Sequence, residues 1–368
     1  MNYKSILNLL GILLGIFSLS FIPPLILTYM YSESGGEVFL YSFLFFSIFG
    51  GAVWAATRQK NLPLNISDGF VVTTLFWVVL ACAGSVPFYF FGLSVSDAIF
   101  ESASGITTTG ATTIIGLDDL PKSILLYRQL LQWIGGMGLI VLAVAVMPAL
   151  GIGGGQLYKM ELPGSHGNQK LTPKITDSAK ALWKIYVGLT IACATLYLLS
   201  GMNVFDSIAH SLSTVAGGGF STHDGSIGFF DSALIEAVCI IFMLLSAASF
   251  AVHYAAIFGG KPLKYFYDSE FRFFLSVVLL IVVISLIVHI ISNSYADIFS
   301  AFGTTVFHVV STVTTSGFTT ENFSLWPGFL PYLLLVGAFM GACSQSVGGG
   351  IKAWRVLIMI NQAYKEIL

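Results

Sequence analysis

Three stretches of the chain decide its fold: DAIFESASGITTTGATT at 97–113, DSIAHSLSTVAGGGFST at 206–222 and TTVFHVVSTVTTSGFTT at 304–320. They align without gaps, so they are copies of one internal repeat. Each copy carries a glycine at the same place, as Gly110, Gly219 and Gly317. Each opens on a residue that favours a helix N-cap, as Asp97, Asp206 and Thr304. The repeat therefore predicts a short capped helix followed by an extended, hydroxyl-rich stretch.

The sequence around the three copies is strongly apolar. Hydrophobic residues make up 56% and charged residues 9% of the 368 residues, whereas a soluble domain has about a quarter charged residues. A helix needs about 20 apolar residues to span a bilayer. We expect eight such spans, near 5–30, 38–57, 69–91, 124–148, 183–200, 233–258, 271–292 and 328–360. The composition and the spans predict an all-α, polytopic membrane protein.

The basic residues indicate the orientation of these spans. If the N-terminus is cytoplasmic, every lysine and arginine except Lys122 and Arg128 falls on the cytoplasmic side. This distribution satisfies the positive-inside rule. Acidic residues lean towards the outer side, where their field attracts cations. We therefore predict a cytoplasmic N-terminus.

Each repeat copy lies between two spans whose other ends are both cytoplasmic, and it is too short and polar to cross the bilayer. We expect it to enter the membrane and return on the same side. Non-helical backbone at this depth is tolerated only where protein or a water-filled cavity satisfies its polar groups. The expected architecture is pseudo-symmetric repeats of helix, re-entrant pore loop and helix around a central ion pore.

The loops have the chemistry of an alkali-cation site. Backbone carbonyls replace the hydration shell of the ion in potassium channels, and glycine allows positive φ and a close approach to the ion. The short helix in front directs its partially negative C-terminal end towards the same place. Glycines in membrane helices also serve close helix packing, but three aligned copies favour an ion site.

The last apolar stretch is interrupted. From Gly328 to Met340 a helix would extend about 20 Å, which is short of the roughly 30 Å hydrocarbon core. The segment GACSQSVGGGIK follows at 341–352. Glycine-rich polar backbone at membrane depth should face a cavity, so we expect a flexible gate beneath the filter. A simple helix end followed by an interfacial helix is the alternative.

Five motifs resemble the Trk-type members of the Trk/Ktr/HKT potassium transporter superfamily: SGITTTGAT, QWIGGMGLIVLAVAVMP from Gln132, TVAGGGFSTHD from Thr214, TTSGFTT, and GACSQSVGGGIK. The resemblance implies four non-identical repeats around one pore, filter glycines at Gly110, Gly219 and Gly317, and a gate within 341–350. It also implies a homodimer in a bacterial plasma (inner) membrane. A cytosolic regulatory subunit that binds NAD, ATP or ADP is the implied partner. Glycine rather than serine at 110 resembles the potassium-preferring pattern.

The pattern and the resemblance together predict the site residues. The predicted selectivity filter consists of Thr107, Thr108, Thr109, Gly110, Ala216, Gly217, Gly218, Gly219, Thr314, Thr315, Ser316 and Gly317. Potassium, the expected transported substrate, is predicted to contact Thr108, Gly110, Gly217, Gly219, Thr315 and Gly317. The predicted gating loop contains Gly341, Ser344, Gln345, Ser346, Gly348, Gly349, Gly350 and Lys352. We expect no cofactor and no nucleic-acid partner.

The repeats also predict the domain organisation. We expect an N-terminal transmembrane hairpin at 1–60 and pore repeats at 61–165, 166–262 and 263–368, the last with the gating loop. A fourth copy is expected roughly 100 residues beyond Gly317, and the 368-residue sequence does not contain it. We interpret the sequence as a fragment without the fourth repeat; the alternative is a pore assembled with another stoichiometry.

The expected function is passive or gradient-coupled potassium uptake, that is, a channel-like pore or a symporter. The chief alternative is a secondary transporter of a small organic solute, whose broken helices also place backbone at the midplane. That class predicts an inverted repeat, whereas the three copies here share one orientation. We expect structural roles for two sets of titratable residues. Glu101, His210 and His308 should form hydrogen bonds behind the filter rather than carry protons. His223 and Asp224 should cap a loop. We expect no enzymatic activity.

Overall fold

The structure is a computed structural model that describes residues 2–58, 66–146 and 175–367. Within these ranges every regular element is a helix, which confirms the predicted all-α fold. Short 3₁₀ turns separate some of the α-helices. The α-helices are Tyr3–Ser18, Ile22–Tyr31, Glu37–Thr57, Ile66–Phe90, Val95–Ile106, Lys122–Val146, Ile175–Leu199, Val204–Ala216, Ala233–Ala247, Phe250–Ile257, Lys264–Tyr267, Ser269–Ile291, Ile298–Val313, Leu330–Met340 and Ala353–Ile367.

Several of these helices are long and apolar enough to cross a membrane. In the described part of the chain, the five that meet this test are Tyr3–Tyr31, Glu37–Thr57, Ser67–Phe90, Lys180–Leu199 and Ser269–Ile291. A sixth crossing is counted if Ala233–Ala247 and Phe250–Ile257 are taken as one span, but these helices meet at 102°. The prediction of one continuous span at 233–258 is therefore wrong. Ala248 is extended, and the Ser249 hydroxyl accepts the Ala251 N–H, so a new helix starts there.

The predicted span at 328–360 is also not continuous. It consists of the short helix Leu330–Met340, a non-helical segment and the helix Ala353–Ile367. The first of these is too short to span a bilayer, which takes about 20 helical residues. The break in the last apolar stretch is thus present where the glycines predicted it.

The chain divides into two compact units, Met1–Glu161 and Leu162–Leu368. The first unit contains the first repeat copy and the second unit contains the other two. The predicted repeat boundaries at 60/61 and 165/166 lie outside the described residues.

In the first unit, the N-terminal helices pack on the first repeat through aromatic rings. Tyr127 is fully buried, and its ring centroid lies 5.7, 5.5 and 5.3 Å from those of Phe21, Phe39 and Phe88. Its hydroxyl donates a hydrogen bond to the carbonyl of Gly84 at 2.9 Å. Because lipid tails are as apolar as the side chains, such close packing and hydrogen bonds hold membrane helices together.

Short helix 1 (Val95–Ile106), short helix 2 (Val204–Ala216) and short helix 3 (Ile298–Val313) begin before the residues predicted as their caps. The N-caps are Ser94, Asn203 and Asp297. Asp97 and Asp206 instead follow the cap by three residues, and each accepts a hydrogen bond from the cap side chain, at 2.7 and 2.6 Å. This resembles a capping box, in which cap and third residue satisfy each other. Thr304 lies inside short helix 3, so the cap prediction was wrong in all three copies.

Candidate functional site

The three short helices end in the same backbone turn. The chain becomes left-handed at Thr108, Gly217 and Thr315, where φ is 57°, 67° and 61°. The N–H of each of these residues donates to the carbonyl three residues earlier, at 3.0, 3.1 and 3.0 Å. The next N–H donates to the carbonyl five residues earlier, at 2.9, 3.0 and 2.9 Å. This pair of bonds is a Schellman motif, which satisfies the last carbonyls of a helix.

Two of the three left-handed residues are threonines. Positive φ in a β-branched residue is a backbone outlier, and the left-handed conformation costs an L-residue about 1–2 kcal/mol. Strain of this kind clusters at functional sites. Thr108 and Thr315 therefore mark their loops as sites where the fold maintains an unfavourable conformation.

A second left-handed residue follows two positions later in every copy. Gly110, Gly219 and Gly317 have φ of 77°, 76° and 86°, and the residue between the two left-handed positions does not have positive φ. The six left-handed residues are the six that the sequence predicted as potassium contacts. Successive residues of a regular strand alternate between its two faces, whereas two left-handed residues separated by a single residue set each loop apart from a strand. Backbone carbonyl oxygens of an irregular loop can replace the hydration shell of a cation.

The loop hydroxyls brace the backbone. In the first and third copies, the first threonine hydroxyl donates to a carbonyl of its short helix and also contacts the hydroxyl two residues later. The contacts are Thr107 to Ala103 at 2.7 Å and to Thr109 at 2.8 Å, and Thr314 to Val310 at 2.7 Å and to Ser316 at 3.0 Å. Because these hydroxyls bond within the loop, the backbone carbonyls are the better candidates for cation ligands.

The residue nine positions before each glycine holds the chain that follows the glycine. Glu101 accepts the Thr112 hydroxyl at 2.8 Å, His210 Nε2 lies 2.9 Å from Ser221 Oγ, and His308 Nε2 lies 3.1 Å from the Glu321 carbonyl oxygen. All three side chains are fully buried. The structure thus places them where the sequence expected them, as braces behind the loop.

Arg128 is a site residue that the charge pattern missed. The charge pattern predicts that Arg128 is one of the basic residues on the outer side, whereas the structure shows that it is fully buried. Its Nε donates to Glu101 Oε1 at 2.6 Å and its Nη2 donates to the Thr112 hydroxyl at 3.1 Å. A buried carboxylate needs such a partner. The sequence does contain a signal for this pair. Arg128 lies inside an apolar run, and its repeat is the one copy whose bracing residue, Glu101, is acidic.

His223 is also a brace. Its Nε2 lies 3.2 Å from Asp206 Oδ2, and its ring stacks on Phe229 with centroids 3.5 Å apart. These contacts join the turn after the second loop to the start of short helix 2. They agree with a structural role for His223, one member of the His223–Asp224 pair.

The second and third loops touch within their unit. A Cβ atom on Gly219 would overlap the Ser316 carbonyl oxygen and lie 3.0 Å from the carbonyl carbon. Further along, the Thr319 N–H donates to the Ser226 hydroxyl at 3.2 Å, and the Gly228 N–H donates to the Thr319 carbonyl at 3.2 Å. The two loops therefore form one hydrogen-bonded layer, and the absence of a side chain at Gly219 lets them approach.

The polar segment 341–352, which we call the gating loop, packs against these two loops. Its Gly349 N–H donates to the Thr315 hydroxyl at 2.6 Å. A Cβ atom on Gly217 would lie 3.5 Å from the side chain of Val347. The gating loop thus hydrogen-bonds the left-handed residue after short helix 3 and places Val347 near the left-handed residue after short helix 2.

Two further elements hold the gating loop. The Cys343 N–H donates to the Ala247 carbonyl at 3.0 Å, and the Phe250 N–H donates to the Gln345 carbonyl at 2.9 Å. The break in the preceding repeat is therefore paired with this loop. Glu270 Oε1 accepts one N–H group within the loop, from Ser344 at 2.5 Å, and one just after the loop, from Trp354 at 3.1 Å. Sequence reasoning missed both anchors, since neither the Ala248 break nor Glu270 carries a local signature.

Comparisons with known proteins show the family of this chain. The TrkH family, described as cation transport proteins, matches residues 35–367. The chain is 46% identical to the Trk system potassium uptake protein TrkH of Vibrio parahaemolyticus and 44% identical to that of Escherichia coli (strain K12); each alignment covers all of this chain and 77% of the relative.

A solved structure is also similar. The crystal structure of the potassium transporter TrkH from Vibrio parahaemolyticus superposes with a TM-score of 0.89 at 45% identity, over all of this chain and 76% of that one. The organic-solute transporter, our alternative, receives no support from these comparisons. This chain is a multi-pass membrane protein and belongs to the TrkH family of cation transport proteins.

Proposed function

We propose that this chain takes up potassium through a channel-like pore. The observation that carries the proposal is the pair of left-handed residues repeated in all three loops; we infer that this backbone presents carbonyl oxygens to a dehydrated cation. The potassium contacts are the backbone oxygens of the predicted residues Thr108, Gly110, Gly217, Gly219, Thr315 and Gly317. Transport involves no catalysed reaction.

The gating loop is the element that obstructs or opens this path. It is glycine-rich and non-helical, and it hydrogen-bonds Thr315 at the end of short helix 3 and the helix break at Ala247 and Phe250. A displacement of the gating loop therefore changes contacts of the predicted filter directly. This supports a gate beneath the filter.

The assembly follows from the resemblance. We propose a homodimer in a bacterial plasma membrane, with a cytoplasmic N-terminus and a cytosolic nucleotide-binding subunit that controls the gate. The term "Trk system" in the names of the relatives supports association with further components, and the positive-inside distribution supports the orientation. The hairpin at 1–60 and the repeats at 61–165, 166–262 and 263–368 are the proposed domains.

Rubidium uptake tests the proposed function. The full reading frame that encodes this chain is expressed in bacterial cells whose own potassium importers have been deleted. We expect rubidium uptake that potassium inhibits, together with growth on low potassium. Absence of uptake from a well-expressed, membrane-inserted protein would refute potassium transport.

Replacing Gly110 by serine is expected to admit more sodium. The left-handed conformation at Gly110, with φ of 77°, costs an L-residue about 1–2 kcal/mol, so the loop carbonyls should shift. Potassium preference should then fall; a tenfold loss corresponds to a difference of about 1.4 kcal/mol between the binding of the two ions. The measurement is the ratio of potassium to sodium permeability.

Gly116 offers the matched control for this substitution. It follows the same loop, has φ of 80° and has open space at its Cβ position. Gly116→Ser should carry a similar backbone cost without changing selectivity. Equal loss of selectivity in both variants would contradict the assignment of Gly110 to the filter.

A further inference from the structure

Lys352 directs its charge back onto the gating loop. Its Nζ donates hydrogen bonds to the carbonyls of Gly348 and Ser346, the latter at 3.4 Å. Lys352 itself has φ of 82°, a conformation that side-chain-bearing residues rarely adopt. The strained backbone and the returning side chain together place an ammonium group among backbone carbonyls of the loop.

These carbonyls lie next to the filter. A Cβ atom on Gly348 would lie 2.8 Å from the Thr314 carbonyl oxygen, and one on Gly349 would lie 3.1 Å from Thr315 Oγ1. The ammonium group is therefore hydrogen-bonded to the carbonyl of Gly348, and Gly348 packs against Thr314 of the third filter loop. An ion leaving this filter loop would meet the charge of Lys352.

An ammonium group and a potassium ion compete for the same ligands. Both carry one positive charge, and both are stabilised by carbonyl oxygens that replace water. A charge that occupies the carbonyls of the gating loop leaves them unavailable to potassium. It also repels a potassium ion above it, and this repulsion is strong where water is excluded.

The loop is built to hold this charge in place. Glu270 accepts the N–H groups of Ser344 and Trp354, and the carbonyls of Ser346 and Gly348 accept the Lys352 ammonium group. Phe250 fixes the Gln345 carbonyl between them. Glu270, Phe250 and Lys352 thus form hydrogen bonds with different backbone groups of the gating loop.

We propose that the Lys352 ammonium group is a tethered cation that closes the potassium path, and that the gate opens when this group leaves the loop carbonyls. The proposal rests on the proposed function, because it names the charge that closes the same pore. It makes Lys352 a positioning and blocking residue rather than a potassium ligand.

Lys352→Met tests the proposal by removing the charge while keeping most of the side-chain volume. We expect basal potassium flux through the purified full protein in vesicles to rise about tenfold or more, because a nearby unit charge is lost from a water-poor site. Lys352→Arg, which keeps the positive charge, should raise the flux much less than Lys352→Met. The matched control is Lys264→Met, since Lys264 is an exposed lysine of the same unit.

A chemical restoration separates charge from folding. Lys352→Cys should show raised basal flux. A methanethiosulfonate that attaches an aminoethyl group rebuilds a lysine-like ammonium and should return the flux to the wild-type level, whereas the methyl reagent should not. The unsubstituted chain, with its four native cysteines, is treated in parallel.

Each outcome decides something. Raised flux that only the charged reagent reverses supports the tethered cation. A conducting wild type with unchanged flux in Lys352→Met and Lys352→Cys, or equal effects of the two reagents, overturns the inference and leaves the proposed function standing. A wild-type protein without any potassium flux overturns both.

Discussion

Gly219→Ala is expected to abolish potassium flux, whereas Gly317→Ala should retain a measurable part of it. The two glycines occupy the same position of their loops and have similar φ, 76° and 86°. Both substitutions therefore incur the same left-handed cost of about 1–2 kcal/mol. Their surroundings differ, and this difference decides the outcome.

An added methyl group at Gly219 meets backbone. It would overlap the Ser316 carbonyl oxygen and lie 3.0 Å from its carbonyl carbon, whereas nothing lies within 4 Å of a Cβ atom on Gly317. Backbone cannot move away as a flexible side chain can, so the two loops must separate. The carbonyl of Ser316 belongs to the predicted filter, and its displacement should disrupt ion binding.

Rubidium uptake at matched protein levels measures the effect, with the elution profile in detergent as the check on folding. Gly317→Ala is the control for the conformational cost alone. If Gly219→Ala conducts as well as Gly317→Ala, then contact between the two loops is not needed for conduction.

Arg128→Met is expected to destabilise the first unit by about 3–5 kcal/mol, because removing one partner leaves a buried charge uncompensated. Glu101 and Arg128 have side-chain exposures of 0% and 1% and lie 2.6 Å apart. The same carboxylate accepts the Thr112 hydroxyl. Loss of the guanidinium should therefore displace the chain after Gly110 as well.

The double variant Glu101→Gln with Arg128→Met should recover most of the lost stability. Glutamine retains an acceptor for Thr112 and removes the isolated charge, and replacing a whole buried pair is often nearly neutral. Lys122→Met is the control on the other outer-side basic residue. It removes a contact to the Tyr31 ring at 4.0 Å and should cost at most about 1 kcal/mol.

Denaturant titration of the purified protein in detergent gives the stability differences, and the amount of membrane-inserted protein gives the consequence in cells. A single variant as stable as wild type would show that the pair contributes nothing. A double variant no better than Arg128→Met would show that the arginine acts through packing rather than through charge.

The bracing position illustrates what alignment of the copies can and cannot predict. The copies predicted that Glu101, His210 and His308 share one role, and the structure gives each a hydrogen bond to the chain after its glycine. The partner of the acidic member was not predictable in the same way. Arg128 lies 27 residues further along the chain, on a helix whose pattern does not indicate which residue it faces.

Features that depend on neighbouring residues could be predicted from the sequence. The aligned glycines predicted positions where positive φ is tolerated, whereas the left-handed Thr108 and Thr315 were predicted only as potassium contacts. The glycine-rich segment located the break before Ala353. The N-cap predictions were wrong even though capping is also a local property. They rest on the first polar position of the aligned copies, whereas the actual N-caps are Ser94, Asn203 and Asp297.

Tertiary structure alone decided the features that depend on residues distant in sequence. The 102° bend at Ala248–Ser249 has no glycine or proline, and its backbone groups are hydrogen-bonded to the gating loop. Glu270 reaches Ser344 and Trp354, 74 and 84 residues away. Contacts of this kind are stabilised only after the helices have packed, when a buried polar group must find a partner. The local sequence pattern does not indicate which residue becomes the partner.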